Sequence, residues 1–145
     1  MNKEKISILI TNFNKEKFLD ECIQSCLNQN YENLEIIIID NLSTDNSLNI
    51  IEKYSSKLLI KIRRRNSIYA PQNQIDSLIE AFNCSKGEII LLLDSDDYIS
   101  RNKVSRIINI FDNNANIDVI FDIPNISKKG TFETLKIKKK FNNKI

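Results

Sequence analysis

Three carboxylates within four residues follow an uninterrupted apolar run, and together they are the strongest chemical signal in the sequence. The run ends at Leu93, and the acidic residues are Asp94, Asp96 and Asp97. Such a run is typical of a strand buried on both faces, and ligands of open α/β sheets gather past the carboxyl ends of these strands. Side chains at i and i+2 of an extended segment point the same way. Asp94 and Asp96 could therefore offer oxygens to one divalent cation.

The composition is that of one folded domain with little net charge. The chain has 145 residues, a formal net charge of +2 and no histidine. We expect a single hydrophobic core and no binding of nucleic acid. The first residues contain only a short apolar stretch, so neither a signal peptide nor a membrane span is predicted, and the expected location is the cytoplasm. Cys22 and Cys26 lie on the apolar face of a predicted helix, which indicates core packing and not a zinc site.

Short apolar segments alternate with segments of helical periodicity along the chain. The predicted strands span residues 6–10, 34–39, 58–62, 88–93 and 117–123. The helix after the second strand would be capped by Ser43 or Thr44. The next helix would turn four apolar side chains inward, namely Ile75, Leu78, Ile79 and Phe82. This alternation predicts an α/β fold with a doubly wound, mainly parallel sheet and helices on both faces.

Polar loops follow the first four strands, and all of them belong at one edge of the predicted sheet. They contain residues 11–14, 40–45, 63–65 and 94–97. The loops at the opposite edge contain only turn and capping residues. This asymmetry predicts a ligand crevice at the carboxyl ends of the strands. The three arginines at 63–65 could assist an anionic ligand there, although a solvated loop is the simpler interpretation.

Four separate blocks of the sequence resemble the family 2 glycosyltransferases of the GT-A fold. The blocks are residues 6–14, 19–29, 34–45 and 87–97, and they agree with the family in order and spacing. The resemblance implies a Rossmann-like GT-A domain over residues 1–125 that binds a nucleotide sugar. It also implies that residues 126–145 are a basic tail or the start of an acceptor half, so that the fold looks truncated.

The resemblance assigns a nucleoside-binding role to four residues. Thr11 and Phe13 would stand in the loop that receives the nucleoside, and Asp40 would sit beside the base. Asn41 stands where many relatives have a second aspartate. Its amide still offers one donor and one acceptor to the edge of a pyrimidine, so contact with the base is expected.

The resemblance further implies a metal site at the acidic loop. Asp96 would bind the metal directly, and Asp94 would lie near the ribose of the nucleotide and the waters of the metal. Mg²⁺ or Mn²⁺ would bridge protein and phosphate oxygens and neutralise the leaving nucleoside diphosphate. Gln74 resembles a glutamine found in one branch of the family. The implied reaction is inverting transfer of a sugar from a nucleotide diphosphate sugar, with a UDP-sugar as the expected donor, to a glycan or lipid-linked acceptor.

Simpler interpretations stay open for several of these residues. The acidic loop could cap the following helix, and Phe13 could act as a hydrophobic staple against the first helix. The lysine-rich segment 128–145 could be a solvated end, or it could contact an anionic membrane surface at the inner face of the membrane. A phospho-receiver domain is a weaker alternative, because it needs acidic residues after the first strand, where Thr11 and Asn12 stand.

The general base of the reaction is not identified in the sequence. Family members continue well beyond the length of this chain, and their later half usually supplies the acceptor site and the base. The alternative function is therefore a catalytically incomplete module that binds a nucleotide sugar without transferring it.

Overall fold

The computed structural model describes residues 4–62 and 69–122, and the backbone of residues 125–128 and 131–134. The chain divides into two compact units, residues Met1–Asn109 and Ile110–Ile145. The arginines at 63–65 and the lysines beyond residue 134 lie outside the described residues. The predicted domain boundary at residue 125 stays a prediction.

Four parallel strands form the sheet of the first unit. They are β1 (Ile6–Asn12), β2 (Leu34–Asp40), β3 (Leu59–Ile62) and β4 (Ile89–Asp94). Their order across the sheet is β3-β2-β1-β4, so β4 pairs with β1 alone among the described strands. The register aligns Asn12 with Asp40 and Thr11 with Asp94. The ends of three strands therefore meet at one edge, as the sequence predicts.

Helices pack on both faces of this sheet, which confirms the predicted doubly wound α/β fold. One face packs against α1 (Glu16–Leu27), α2 (Ser47–Glu52) and the first turns of α4 (Lys103–Asn113). The other face packs against α3 (Ala70–Cys84), where Ala81 contacts the cluster that contains Leu9. In the ranges that the structure describes, no helix is both long and apolar enough to cross a membrane.

Helix α1 contributes four fully buried residues to the larger core cluster, and these are Leu19, Cys22, Ile23 and Cys26. Their spacing places them on one stripe of the helix, facing the sheet. Both cysteines are free and buried, which confirms the prediction of core packing. Hydrogen bonding with Cys26 and burial raise the pKa of the Cys22 thiol. The Cys22 thiol is therefore an unreactive part of the core at neutral pH.

The predicted inner face of α3 is wrong. The side chains of Ile75, Ile79 and Phe82 are 52%, 54% and 58% exposed, and the buried residues of the helix are Asn73, Ser77 and Ala81. Small and polar side chains face the sheet because they allow close approach and because Ser77 bonds to the loop after β2. Tertiary hydrogen bonds thus outweigh the apolar periodicity of the helix.

The N-cap predicted for α2 is also wrong. The helix begins at Ser47, and Asn46 occupies the N-cap position. The hydroxyl of Ser43 is already engaged with Asp40 and with the loop after β1, so it is not available to cap a helix. The backbone N–H of Ser47 instead donates to Asp45 Oδ1 at 2.9 Å.

The fifth strand predicted at 117–123 is absent over residues 117–122, which the structure describes without strand pairing. A strand needs a hydrogen-bonded neighbour, and this segment has none among the described strands. Val119 and Phe121 are 63% and 91% exposed. The second unit instead contains an antiparallel hairpin of β5 (Asn125–Lys128) and β6 (Thr131–Thr134).

A close approach that only glycine allows fixes the start of β4. The N–H of Gly87 donates to Ser7 Oγ at 2.8 Å, and that hydroxyl donates to Glu35 on β2. A Cβ at Gly87 would lie 2.5 Å from the backbone nitrogen of Ser7. The edge strand is therefore held in register at its first residues, and this register sets where its acidic end lies.

Candidate functional site

An open pocket of about 320 Å³ lies at the carboxyl ends of β1, β2 and β4. Its volume is within the range of small-molecule sites. The lining residues come from β1 and its loop, the loop after β2, helix α3 and the acidic loop, and they are Thr11, Asn12, Phe13, Lys15, Asn41, Ala70, Asn73, Gln74, Asp94, Ser95 and Asp96. All the predicted site residues except Asp40 are among them.

Asp40 lies beneath this pocket and is fully buried. Its Oδ1 accepts the backbone N–H of Ser43 at 2.8 Å, and its Oδ2 accepts the Ser43 hydroxyl at 2.7 Å. Asn12 Nδ2 also donates to Oδ2, at 2.7 Å. Three donors therefore stabilise a carboxylate that water does not reach. These contacts give Asp40 a positioning role, and its predicted contact with the base stays a prediction.

The loops after β1 and β2 are joined by reciprocal hydrogen bonds. Asn14 N–H donates to Ser43 Oγ at 3.0 Å, and Thr44 N–H donates to Asn14 Oδ1 at 2.8 Å. Asn14 and Leu42 have positive φ values of 53° and 59°. Asparagine tolerates this left-handed conformation, whereas leucine adopts it at a cost. A strained residue thus adjoins the site, a location where backbone strain is commonly found.

Helix α3 is attached to both polar loops of the pocket. The Ser77 hydroxyl lies 2.8 Å from Asn41 Oδ1 and 2.8 Å from the Asn73 carbonyl oxygen. Gln74 Nε2 donates to Asp94 Oδ1 at 2.9 Å. One end of the Asn41 amide is therefore fixed by α3, and the same helix also orients a carboxylate of the acidic loop.

The acidic loop after β4 is exposed, in contrast to Asp40. Asp96 Oδ2 and Lys15 Nζ lie 2.5 Å apart in an ion pair whose side chains are 39% and 40% exposed. Partial desolvation, followed by repulsion from Asp94 and Asp96, raises the pKa of Asp97, and Lys15 acts in the opposite direction. Negative charge is thus concentrated here, and Lys15 offsets part of it.

Asn12, which lies beside Asp40, contributes a buried acceptor oxygen to the site. Its amide nitrogen is held by Asp40 and by Ser43 Oγ, at 2.7 and 3.2 Å. Its Oδ1 is buried and has no hydrogen-bond partner in the part of the chain that the structure describes. Turning the amide over would place Oδ1 against a carboxylate, so the observed orientation is the favourable one.

The carboxylates of the acidic loop fit a divalent cation only if other ligands complete its shell. No group of three or more His, Cys, Asp or Glu side chains is arranged to hold a metal within the described ranges. Asp96 nevertheless already holds a cation, the ammonium of Lys15. Magnesium is commonly bound by one or two carboxylates together with substrate phosphates. The donor set of Asp94 and Asp96 fits that mode of binding.

Sequence reasoning missed three residues of the site, namely Lys15, Ser43 and Ser77. Lys15 directly follows the polar loop after β1. This position in the sequence would have predicted a cationic side chain at the sheet edge. The sequence predicts Ser43 as a helix cap, whereas the structure shows it bonded to Asp40. Ser77 lies four residues after Asn73, so the two share a helical face.

Comparison with known proteins agrees with this architecture. The family model described as glycosyl transferase family 2 matches residues 7–145. An uncharacterized glycosyltransferase of Haemophilus influenzae is 38% identical over 111 residues, 75% of this chain. A poly(ribitol-phosphate) beta-glucosyltransferase of Bacillus spizizenii is 36% identical over 133 residues, 87% of this chain. These matches extend over more than 100 residues, far beyond the acidic loop.

A solved structure also shares the fold. The crystal structure of Staphylococcus aureus TarS 1–349 in complex with UDP matches with a TM-score of 0.63 and 29% identity over 75% of this chain. The matched part is 32% of that structure, and the chain spans 43% and 20% of the Haemophilus and Bacillus proteins. The sheet and helices are therefore those of the GT-A fold, and the chain belongs to glycosyl transferase family 2.

Proposed function

We propose that this chain binds the nucleotide-sugar donor of a glycosyltransferase that transfers the sugar to a glycan or lipid-linked acceptor with the help of Mg²⁺ or Mn²⁺. One observation carries the proposal. The pocket brings Thr11, Phe13 and Asn41 together with the carboxylates of Asp94 and Asp96. A nucleoside needs a stacking and hydrogen-bonding surface, whereas its diphosphate needs cations. The two parts of this pocket match those two needs.

The nucleoside side of the pocket is formed by Phe13 and Asn41. Phe13 lines the pocket, and an aromatic ring at this place would stack against a base, an interaction that works for any base. Asn41 is buried to 4% exposure, and Ser77 holds one end of its amide. The other end is left for the edge of the base, where an amide can discriminate one base from another. Thr11 adds a hydroxyl at the end of β1 beside them.

The phosphate side is formed by Asp94 and Asp96. Both are exposed carboxylates of one pocket, and they would repel a diphosphate in the absence of cations. A bound divalent ion supplies neutralisation of the charge that builds on the leaving diphosphate. Asp96 would hold this ion, while Asp94, oriented by Gln74, would face the ribose and the water shell of the ion.

The relatives support a choice of donor and acceptor. The TarS structure is a complex with UDP, and the Bacillus relative is a poly(ribitol-phosphate) beta-glucosyltransferase. We therefore propose a UDP-sugar as the donor, a cell-surface glycan or its lipid-linked precursor as the acceptor, and the cytoplasm as the location, where sugar nucleotides are found.

Calorimetric titration of UDP, GDP and CDP, each with and without Mn²⁺, tests this function. We expect one diphosphate to bind tightly, and only with metal present. Asp96→Ala should weaken that binding by about tenfold or more, because it removes the charged ligand. Glu21→Ala is the matched control, since Glu21 is an exposed carboxylate on α1, away from the pocket. Equal weak binding of all three diphosphates, unchanged by chelator, would refute the proposal.

A second candidate function is donor binding without transfer by this chain. In the described part of the pocket the carboxylates are Asp94 and Asp96 alone, and both are assigned to the donor. An acceptor hydroxyl also needs a general base within hydrogen-bonding reach. Release of UDP from its sugar conjugate by this polypeptide would favour the transferase, and metal-dependent binding without turnover would favour the binding module.

A further inference from the structure

Lys15 stands out because it is the only basic side chain among the described residues that line the pocket. Its ammonium contacts Asp96 Oδ2 across 81 positions of sequence. Asp96 is also the carboxylate that the proposed function assigns to the metal. Lys15 therefore occupies the partner position at Asp96 that a divalent ion needs.

The backbone of Lys15 is fixed, whereas its side chain is not. Its N–H donates to Ser47 Oγ at 3.3 Å, and its carbonyl accepts the N–H groups of Phe18 and Leu19 at 3.0 Å in the first turn of α1. The side chain is 40% exposed and reaches the pocket by a flexible four-carbon stem. The ammonium can thus leave Asp96 without any change in the fold.

Electrostatics favour such a departure when ligands bind. An ammonium and a divalent ion that are bound to the same carboxylate would lie close together and would repel each other. A diphosphate brings negative charge into the same pocket, and a lysine ammonium is a common partner of phosphate oxygens. Exposed ion pairs of this kind are weak, so exchange of partners is inexpensive.

We propose that Lys15 is an exchangeable counter-cation, which holds Asp96 in the ligand-free protein and moves to the diphosphate of the donor when a divalent ion takes Asp96. Lys15 thereby lowers affinity for the metal alone and raises affinity for the nucleotide in the presence of metal. Metal and donor binding become coupled, because the metal frees Lys15 for the diphosphate and the diphosphate draws Lys15 away from the metal. This inference rests on the proposed function.

Replacement of Lys15 by methionine tests the exchange, since methionine keeps the apolar stem and removes the charge. Binding of Mn²⁺ alone, followed by electron paramagnetic resonance of the free ion, should tighten by about three- to fivefold in Lys15→Met. Binding of UDP at saturating Mn²⁺, followed by calorimetry, should weaken by about tenfold. A purely structural role would not move the two affinities in opposite directions.

Lys17→Met is the control, because Lys17 is an exposed lysine of α1 two positions away and does not line the pocket. It should leave both affinities within about twofold, the size of a screened surface effect. Unchanged or weakened Mn²⁺ binding in Lys15→Met would overturn the exchange. So would UDP binding by the unaltered protein that needs no metal and is lost in Lys15→Met, since Lys15 would then replace the ion.

The same titrations separate this inference from the proposed function. Absence of metal-dependent UDP binding in the unaltered protein refutes the proposed function, and the exchange falls with it. Metal-dependent UDP binding that Asp96→Ala abolishes and Lys15→Met leaves unchanged refutes the exchange alone.

Discussion

Strands β2 and β4 each end in an aspartate at the same edge of the sheet, just before a polar loop, yet the two carboxylates have opposite environments. Asp40 is fully buried and accepts hydrogen bonds from Ser43 and Asn12. Asp94 is exposed and accepts one from Gln74. The first loop is assembled before any ligand binds, whereas the second keeps its charges accessible. Burial and hydrogen-bond partners, and not residue type, distinguish the two loops. They make the loop after β2 a scaffold loop and leave the loop after β4 ready to bind a ligand.

The position of each strand in the sheet explains this difference. β2 is flanked by β1 and β3, so the sheet continues on both sides of Asp40, and the loop after β1 also bonds to the loop after β2. β4 pairs with β1 alone among the described strands, and its end stays open. β4 is thus the strand that presents acidic side chains to solvent, where a cation can reach them.

The largest expected effect is loss of stability on replacing Asp40 by alanine. The change would leave the Asn12 amide and both donors of Ser43 without their acceptor in a site that water does not reach. We expect a loss of about 3 kcal/mol in the free energy of unfolding, measured by urea denaturation. Asp94→Ala is the matched control, and the loss there should stay below about 0.5 kcal/mol because Asp94 is exposed. Similar losses in both variants would contradict the distinction between the loops.

Ser43→Ala should give an intermediate effect. The Ser43 hydroxyl donates to Asp40 and accepts from Asn12 Nδ2 and Asn14 N–H, so its removal weakens a network and leaves the carboxylate in place. We expect a loss of about 1–2 kcal/mol by the same measurement. Thr44→Ala is the control, since its exposed hydroxyl makes one long contact of 3.4 Å with Asn14. A loss in Thr44→Ala as large as that in Ser43→Ala would show that the loop does not depend on the buried network.

The sequence predicts where both loops lie, but it does not predict which of their two aspartates is buried. The apolar runs of β1, β2 and β4 fix where strands end, and parallel pairing brings those ends together. Whether Asp40 is buried depends on which strands flank β2, and this is a property of the sheet order. The role of Ser43 was hidden for the same reason, because its partners Asn12 and Asn14 lie about 30 residues earlier in the chain.

Periodicity failed where tertiary partners decide the outcome. The apolar stripe of α3 predicts that Ile75 and Ile79 point inward. Ser77 instead bonds to Asn41, so the polar side of the helix faces the sheet. The segment 117–122 has strand-like residues and no described strand beside it, so it remains unpaired. Neither result is visible from local pattern, since both depend on what lies across the fold.

The smallest predicted effect is a gain of stability at Leu42, which marks the one strained point of the scaffold loop. Leucine at a φ of 59° carries a steric cost that glycine does not, and its half-exposed side chain contributes little burial. Leu42→Gly should therefore raise the free energy of unfolding by about 0.5–1 kcal/mol. Asn14→Gly is the matched control with φ 53°, and it should be destabilising, because it removes the acceptor of Thr44 N–H. If both variants changed stability in the same direction, backbone strain would not be what distinguishes Leu42, and the loop after β2 would owe its form to hydrogen bonding alone.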